Sequence, residues 1–165
     1  MKFPFFSLIT CILLFSSNTV MANLQGDLER AAFVDQKFLQ DEEAAVKRIT
    51  NEWAHAINSG EPLKVAALYD NPFILYATFT TKIDTAEALV DYFTKLMTKK
   101  NFKVEFNEQN PRAHGATALD SGLYTFSFTD EAGKRVEVAA RYTFVYALTP
   151  NGWRIVDHHS SELPI

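Results

Sequence analysis

The chain holds a single cysteine, Cys11, in 165 residues. An internal disulfide is excluded, and so is a cysteine-built metal cage. Positive charge is also short. Lys+Arg number 16 against Asp+Glu 20, for a formal charge of −4. That balance offers no basic face to a nucleic acid, so none is expected as a partner. No apolar run is long enough to span a bilayer comfortably. Three catalytic signatures are missing as well. There is no G-x-S-x-G elbow for a Ser-His-Asp hydrolase, no G-x-x-x-x-G-K-[ST] loop for nucleotide hydrolysis, and no H-E-x-x-H for a zinc protease.

What is present begins with a leader. Lys2 is the only charge in residues 1–22, Phe3 to Phe15 is almost continuously apolar, and Val20-Met21-Ala22 closes the segment. This pattern predicts a signal peptide over residues 1–22, cut after Ala22, and a periplasmic or secreted mature protein without stable membrane insertion. A retained N-terminal anchor is the alternative. Cleavage would remove Cys11 and Lys2, leaving 15 basic against 20 acidic residues and a charge of −5. With no disulfide, the rest must be held by a hydrophobic core, which its length can supply.

Residues 23–40 read as a short helix or a loosely held arm, and residues 41–165 as one α+β domain. Asp41, Glu42 and Glu43 suit a first helical turn. Ala45, Ile49, Trp53, Ala56 and Ile57 recur at helical spacing up to Gly60, with Trp53 read as core and His55 as surface. Pro62 opens a short helix from Leu63 to Tyr69, ended by Asn71-Pro72. Phe73 to Tyr76 is a strand, and Thr78 beyond it either bonds within a turn or lines a pocket. Asp84 or Thr85 caps a helix bearing Leu89, Tyr92, Phe93 and Leu96. Phe102 to Phe106 alternates as a strand, Asn110-Pro111-Arg112 reads as a break, and Ala116 to Thr129 is a long strand with a bulge or bend near Asp120-Ser121-Gly122. Val136 to Pro164 is a hairpin about Thr149-Pro150-Asn151-Gly152.

This order lacks the strand-helix alternation of a doubly wound sheet. It predicts a curved, mostly antiparallel sheet wrapped by three helices, with a pocket between the layers. Phe102, Phe106, Phe126, Phe128, Tyr142, Phe144 and Tyr146 read as more aromatic surface than one small domain needs. On that ground the back of the sheet is expected to meet a second copy, giving a homodimer.

The densest cluster of candidate chemistry is His158, His159, Ser160 and Ser161. Neighbours on a strand face opposite ways, so the two histidines should not share one zinc ion. One histidine and one serine lie in phase, either His158 with Ser160 or His159 with Ser161. Tyr124 stands on another strand, and Arg141 with Thr143 on a third. Hydroxyls and an imidazole can hold a small oxyanion, and histidine can move a proton near neutral pH. A structural network or an interface containing Tyr124, Arg141 and His159 is the competing reading.

Several motifs carry a resemblance. They are Trp53, Leu68-Tyr69, Thr78, Asp91-Tyr92-Phe93, Gly122 to Phe126, A-R-Y-T-F-V-Y at Ala140 to Tyr146, and H-H-S-S-E-L-P at His158 to Pro164. Over about residues 41–165 the chain resembles the SnoaL-like, nuclear-transport-factor-like superfamily. Within it the likeness is to the calcium/calmodulin-dependent protein kinase II association-domain group, and more narrowly to the iota-class carbonic anhydrases. The resemblance implies a cone-like α+β fold, a homodimer, and hydration of carbon dioxide to bicarbonate with no cofactor or with manganese. It implies a pocket of Thr78, Tyr124, one of His158 and His159, and one of Ser160 and Ser161. One histidine would take the proton, the hydroxyls would hold the oxyanion, and Arg141 would raise the local potential. Two departures stand out. Asp157 sits where active members carry a third histidine, and the loop here reads Ala77-Thr78-Phe79-Thr80. A non-catalytic exported module for small-ligand binding or oligomerisation is the alternative the same likeness allows.

Overall fold

The computed structural model describes residues 8–164. The first seven residues of the expected leader, and Ile165, lie outside them. Two compact units are present, Met1–Phe38 and Leu39–Ile165. In the first, the described chain is helical, and Gln25 donates to Glu29 one turn on at 2.9 Å. Its apolar side chains Leu24, Leu28, Phe33 and Phe38 are exposed. Among the described residues, no helix is long and apolar enough to cross a membrane.

The helix α1 runs Leu8–Asn58 without the start expected at Asp41. Residues 23–40 are helical within this element. Nothing in this stretch breaks a helix, since it holds no proline and only one glycine, Gly26. Gly60, at φ 71°, turns the chain after Asn58.

In the second unit, α2 is Pro62–Ala66, shorter than the helix expected to reach Tyr69. Tyr69 instead opens the strand β1, Tyr69–Tyr76, because it pairs with Ile155. The strand β2 is Lys82–Ile83, and α3 is Ala86–Met97, capped by the Thr85 hydroxyl accepting from the Ala88 amide. Four long strands follow: β3 Lys103–His114, β4 Thr117–Thr129, β5 Arg135–Thr149 and β6 Gly152–Glu162. The sheet order is β2-β1-β6-β5-β4-β3. Only β1 against β6 is parallel, so the antiparallel meander and the wrapped α+β sheet are as expected.

Two local expectations are corrected. Asn110-Pro111-Arg112 is no break but the far half of β3, since β3 is an edge strand and a proline there costs no ladder bond. The bulge expected near Gly122 falls on the partner strand, where the register shifts between Phe106 and Glu108 and Asn107 is the extra residue. Gly122 serves it: a Cβ there would collide with the Glu108 carbonyl. In the last hairpin, Gly152 alone takes the positive φ, at 88°.

The core fills the inner face of the sheet. Val46, Trp53 and Ile57 of α1, Val65 of α2, and Leu89, Phe93 and Leu96 of α3 pack on Tyr124, Phe126, Phe144 and Ile155. All seven aromatic residues expected to spill toward a second copy are part of this inner packing. They fill the interior, so the premise drawn from them does not hold.

Candidate functional site

The site begins with an irregularity in β6. Tyr146 pairs with Ile155, but Val145 pairs with Asp157, so Val156 is an extra residue. Before it, Trp153 and Ile155 point inward and are buried. Strict alternation would carry that face on to His159 and Ser161. The bulge flips the phase, and His158 and Ser160 are buried instead, at 2% and 5% exposure.

His158 and Ser160 line a cavity with Trp53, Thr78, Tyr92 and Tyr124, closed by apolar side chains of β1, α3 and β4. The space open to the centre of a water-sized sphere is ≈ 10 Å³, about enough for one water. Ser160 is the hub of a hydroxyl cluster. Tyr124 donates to its Oγ, and Thr78 Oγ1 is bonded to the same oxygen. His158 Nδ1 is 2.8 Å from the Tyr69 hydroxyl. Its ring lies 4.0 Å from Phe144 at 30°, and Trp53 meets it edge-on at 5.4 Å and 88°. Among the described residues, His158 Nε2 and Trp53 Nε1 are the buried side-chain atoms with no hydrogen-bond partner.

The other expected residues lie elsewhere. His159 is exposed, Ser161 is half-buried, and both are on the outer face of β6. Arg141 is exposed on the outer face of β5, where its Nε donates to Ser161 Oγ at 2.9 Å. Thus Thr78, Tyr124, His158 and Ser160 come together, and His159, Ser161 and Arg141 form a separate outer group. Tyr69 and Trp53, read only as a motif and as core, belong to the inner set. Tyr92 was legible as an apolar-stripe residue of α3 and within the Asp91-Tyr92-Phe93 motif.

Burial governs the titrations here. It pushes the His158 imidazole down to about 3, with nearby His159 a smaller cause. It holds the Tyr124 hydroxyl above its usual range, against the bond Tyr124 donates to Ser160. The polar groups on the cavity are one neutral imidazole, the Trp53 indole and the hydroxyls of Thr78, Tyr92, Tyr124 and Ser160. Manganese prefers carboxylates, carbonyls and water. Among the described residues no cluster of three His, Cys, Asp or Glu could hold a metal, so the residues present do not fit that ion.

A second buried polar group lies on the same inner face. Asp120 is fully buried and accepts from the Tyr142 hydroxyl at 3.2 Å and the Asn110 amide at 3.1 Å. Burial raises its carboxyl above the ordinary range despite these bonds. Acid stability follows from the two signs. His158 is depressed when folded, so its contribution is full above about pH 6.5, the unfolded value, and is lost as pH falls toward about 3. Asp120 works the other way, favouring the fold at low pH and losing that contribution as pH rises above its unfolded value. Unfolding free energies from urea titration should therefore fall between about pH 6.5 and pH 4, by up to about 1 kcal/mol per pH unit from His158. His158→Gln should flatten that slope, and an equal slope in the variant would contradict the assignment.

A curved sheet under three helices, with a small polar cavity between the layers, is the nuclear transport factor 2-like cone. The chain belongs to the calcium/calmodulin dependent protein kinase II association domain family, which matches residues 42–164. A structure from Xanthomonas campestris, described as a candidate domain of that family, is 37% identical, with 73% of this chain and 86% of that chain covered and a TM-score of 0.67. A nuclear transport factor 2-like superfamily protein from Salmonella enterica is 16% identical, with 76% and 94% covered and a TM-score of 0.69. A candidate dehydratase of the same superfamily from Streptomyces avermitilis is also 16% identical, with 73% and 94% covered and a TM-score of 0.65. These last two show the shared fold alone. No curated protein matches the chain.

Proposed function

We propose that the inner cavity takes up carbon dioxide and hydrates it to bicarbonate, as the likeness to the iota-class anhydrases implies. The observation that carries this is a hydroxyl hub at Ser160 beside the unpartnered Nε2 of His158, on one water-sized cavity. No lysine or arginine lines it. Such a space charges an anion heavily for its lost hydration, so a neutral molecule enters more readily. Carbon dioxide and the water that attacks it together exceed the space for one water, so the cavity must widen to take both.

At pH 7 a histidine with a pKa near 3 is a poor base. The hydroxyls can carry the proton instead. Water oxygen bonds to the carbon and gives one proton to Ser160 Oγ. The serine's own proton passes to a carbon dioxide oxygen. Carbonic acid results, and it ionises on release. Tyr124 and His158 would steady the charge that develops on the oxygens.

The competing reading, a non-catalytic binding module, is favoured by the burial of the site, which pushes the His158 imidazole down and the Tyr124 hydroxyl up, both away from neutrality. Magnetisation transfer between ¹³C-labelled carbon dioxide and bicarbonate separates the two. Chelator-treated protein should speed the exchange well above buffer. A broadened carbon signal without faster exchange would assign binding alone, and no effect would remove both.

Export and pairing belong to the same proposal. A second copy would cover the outer sheet face, where Ile74 and Tyr76 are exposed beside His159 and Arg141. Native mass spectrometry of the exported protein should give twice the mass of a chain beginning at Asn23. A monomer, or a full-length chain, would refute the corresponding half.

A further inference from the structure

We propose that Tyr69 is a positioning residue which fixes His158 as its Nε2–H tautomer, so that the imidazole offers the cavity a hydrogen-bond donor and not a base. This rests on the cavity being the functional site. The two residues meet through the parallel pairing of β1 with β6, which sets Tyr69 beside Ile155 and Leu75 beside His158. Both are buried, and Tyr69 OH and His158 Nδ1 are 2.8 Å apart.

A neutral imidazole carries its proton on one nitrogen and accepts at the other. Two arrangements satisfy the 2.8 Å contact. If Nδ1–H donates to the phenol oxygen, the Tyr69 proton has no other acceptor, and Nε2 is left as an unpaired acceptor. Two buried groups are then unsatisfied. If Tyr69 donates to Nδ1, only Nε2–H is unpaired. Each buried unsatisfied group costs its full desolvation, so the second arrangement prevails.

With Nδ1 taken by Tyr69, Nε2 is the ring nitrogen left for the cavity. Tyr69 is absent from the cavity wall, and His158 and Trp53 are part of it. The Nδ1 edge thus faces away, and the Nε2 edge is the one a ligand can reach. Phe144 lies over the imidazole face at 4.0 Å and resists a change of ring plane. A ligand at Nε2 must therefore bring an acceptor atom, such as an oxygen of carbon dioxide or of water.

The test is tautomer-resolved nuclear magnetic resonance of the full chain labelled with ¹⁵N at histidine. The His158 signals are identified by their loss in His158→Gln. Long-range proton–nitrogen correlations should show protonated-type Nε2 and acceptor-type Nδ1, unchanged between about pH 5 and 8. Tyr69→Phe should lose this single pattern and show the Nδ1–H form as well. A wild-type pattern with Nδ1 protonated would overturn the proposal, and so would an unchanged pattern in a folded Tyr69→Phe. Carbon dioxide exchange is read separately. The expected tautomer in a protein that fails to speed exchange would sink the hydration reading and leave the Tyr69 assignment standing.

Discussion

Trp53→Ala is expected to lower unfolding stability by about 3–5 kcal/mol, read as a shift in the urea midpoint at constant slope. Trp53 is 1% exposed and meets Phe93, Phe106, Tyr124, Phe144 and His158 through its ring, at centroid separations from 5.2 to 6.3 Å. Those five come from α3, β3, β4, β5 and β6, so one side chain ties a helix to four strands. Its removal leaves a void that no neighbour can fill without leaving its own element. A net stability of about 5–15 kcal/mol leaves little reserve for such a loss. Trp53→Phe should recover much of it, because the phenyl ring keeps the edge contacts and the lost indole N–H has no partner to strand. A midpoint for Trp53→Ala within about 0.5 kcal/mol of wild type would show that this ring is not the centre of the core.

Much of this arrangement was legible in the sequence. Trp53, Ile57, Leu89, Phe93 and Leu96 fall at helical spacing, and their burial follows from it. Thr149 to Gly152 marks the last hairpin, and the meander follows from strands joined by short turns. Other features depend on pairing, which local pattern does not encode. Tyr69 follows a helix in sequence, yet it is a strand residue because Ile155 lies opposite it. Pro111 breaks a pattern locally but is harmless on an edge strand. The aromatic residues of β3, β4 and β5 looked excessive because the interior they fill is visible only once α1 and α3 are laid over the sheet. The site itself turned on Val156. Alternation along β6 left open which histidine and which serine face inward, and a one-residue bulge against β5 decides it. The extra residue is a property of two strands together. The hydroxyl cluster was legible by residue type at Thr78, Tyr124 and Ser160, whereas the partner of His158, Tyr69, lies 89 positions away and left no local signal.

Ser160→Ala is expected to lower the rate of carbon dioxide hydration by about 10²–10³, the usual loss when one well-placed donor is removed from a reacting oxygen. Ser160 Oγ receives Tyr124 and is bonded to Thr78, so its removal also leaves two hydroxyls without their partner. Ser161 differs by one position and makes its side-chain bond to Arg141 on the outer face. Its removal leaves the cavity untouched, and Ser161→Ala should keep the wild-type rate within about twofold, an effect below about 0.5 kcal/mol. The decisive measurement is stopped-flow hydration of carbon dioxide by chelator-treated wild type, Ser160→Ala and Ser161→Ala, with equal folding checked by urea midpoint. The account predicts a rate well above buffer that Ser160→Ala abolishes and Ser161→Ala retains. A rate lost in Ser161→Ala but kept in Ser160→Ala would place the chemistry on the outer face and contradict it.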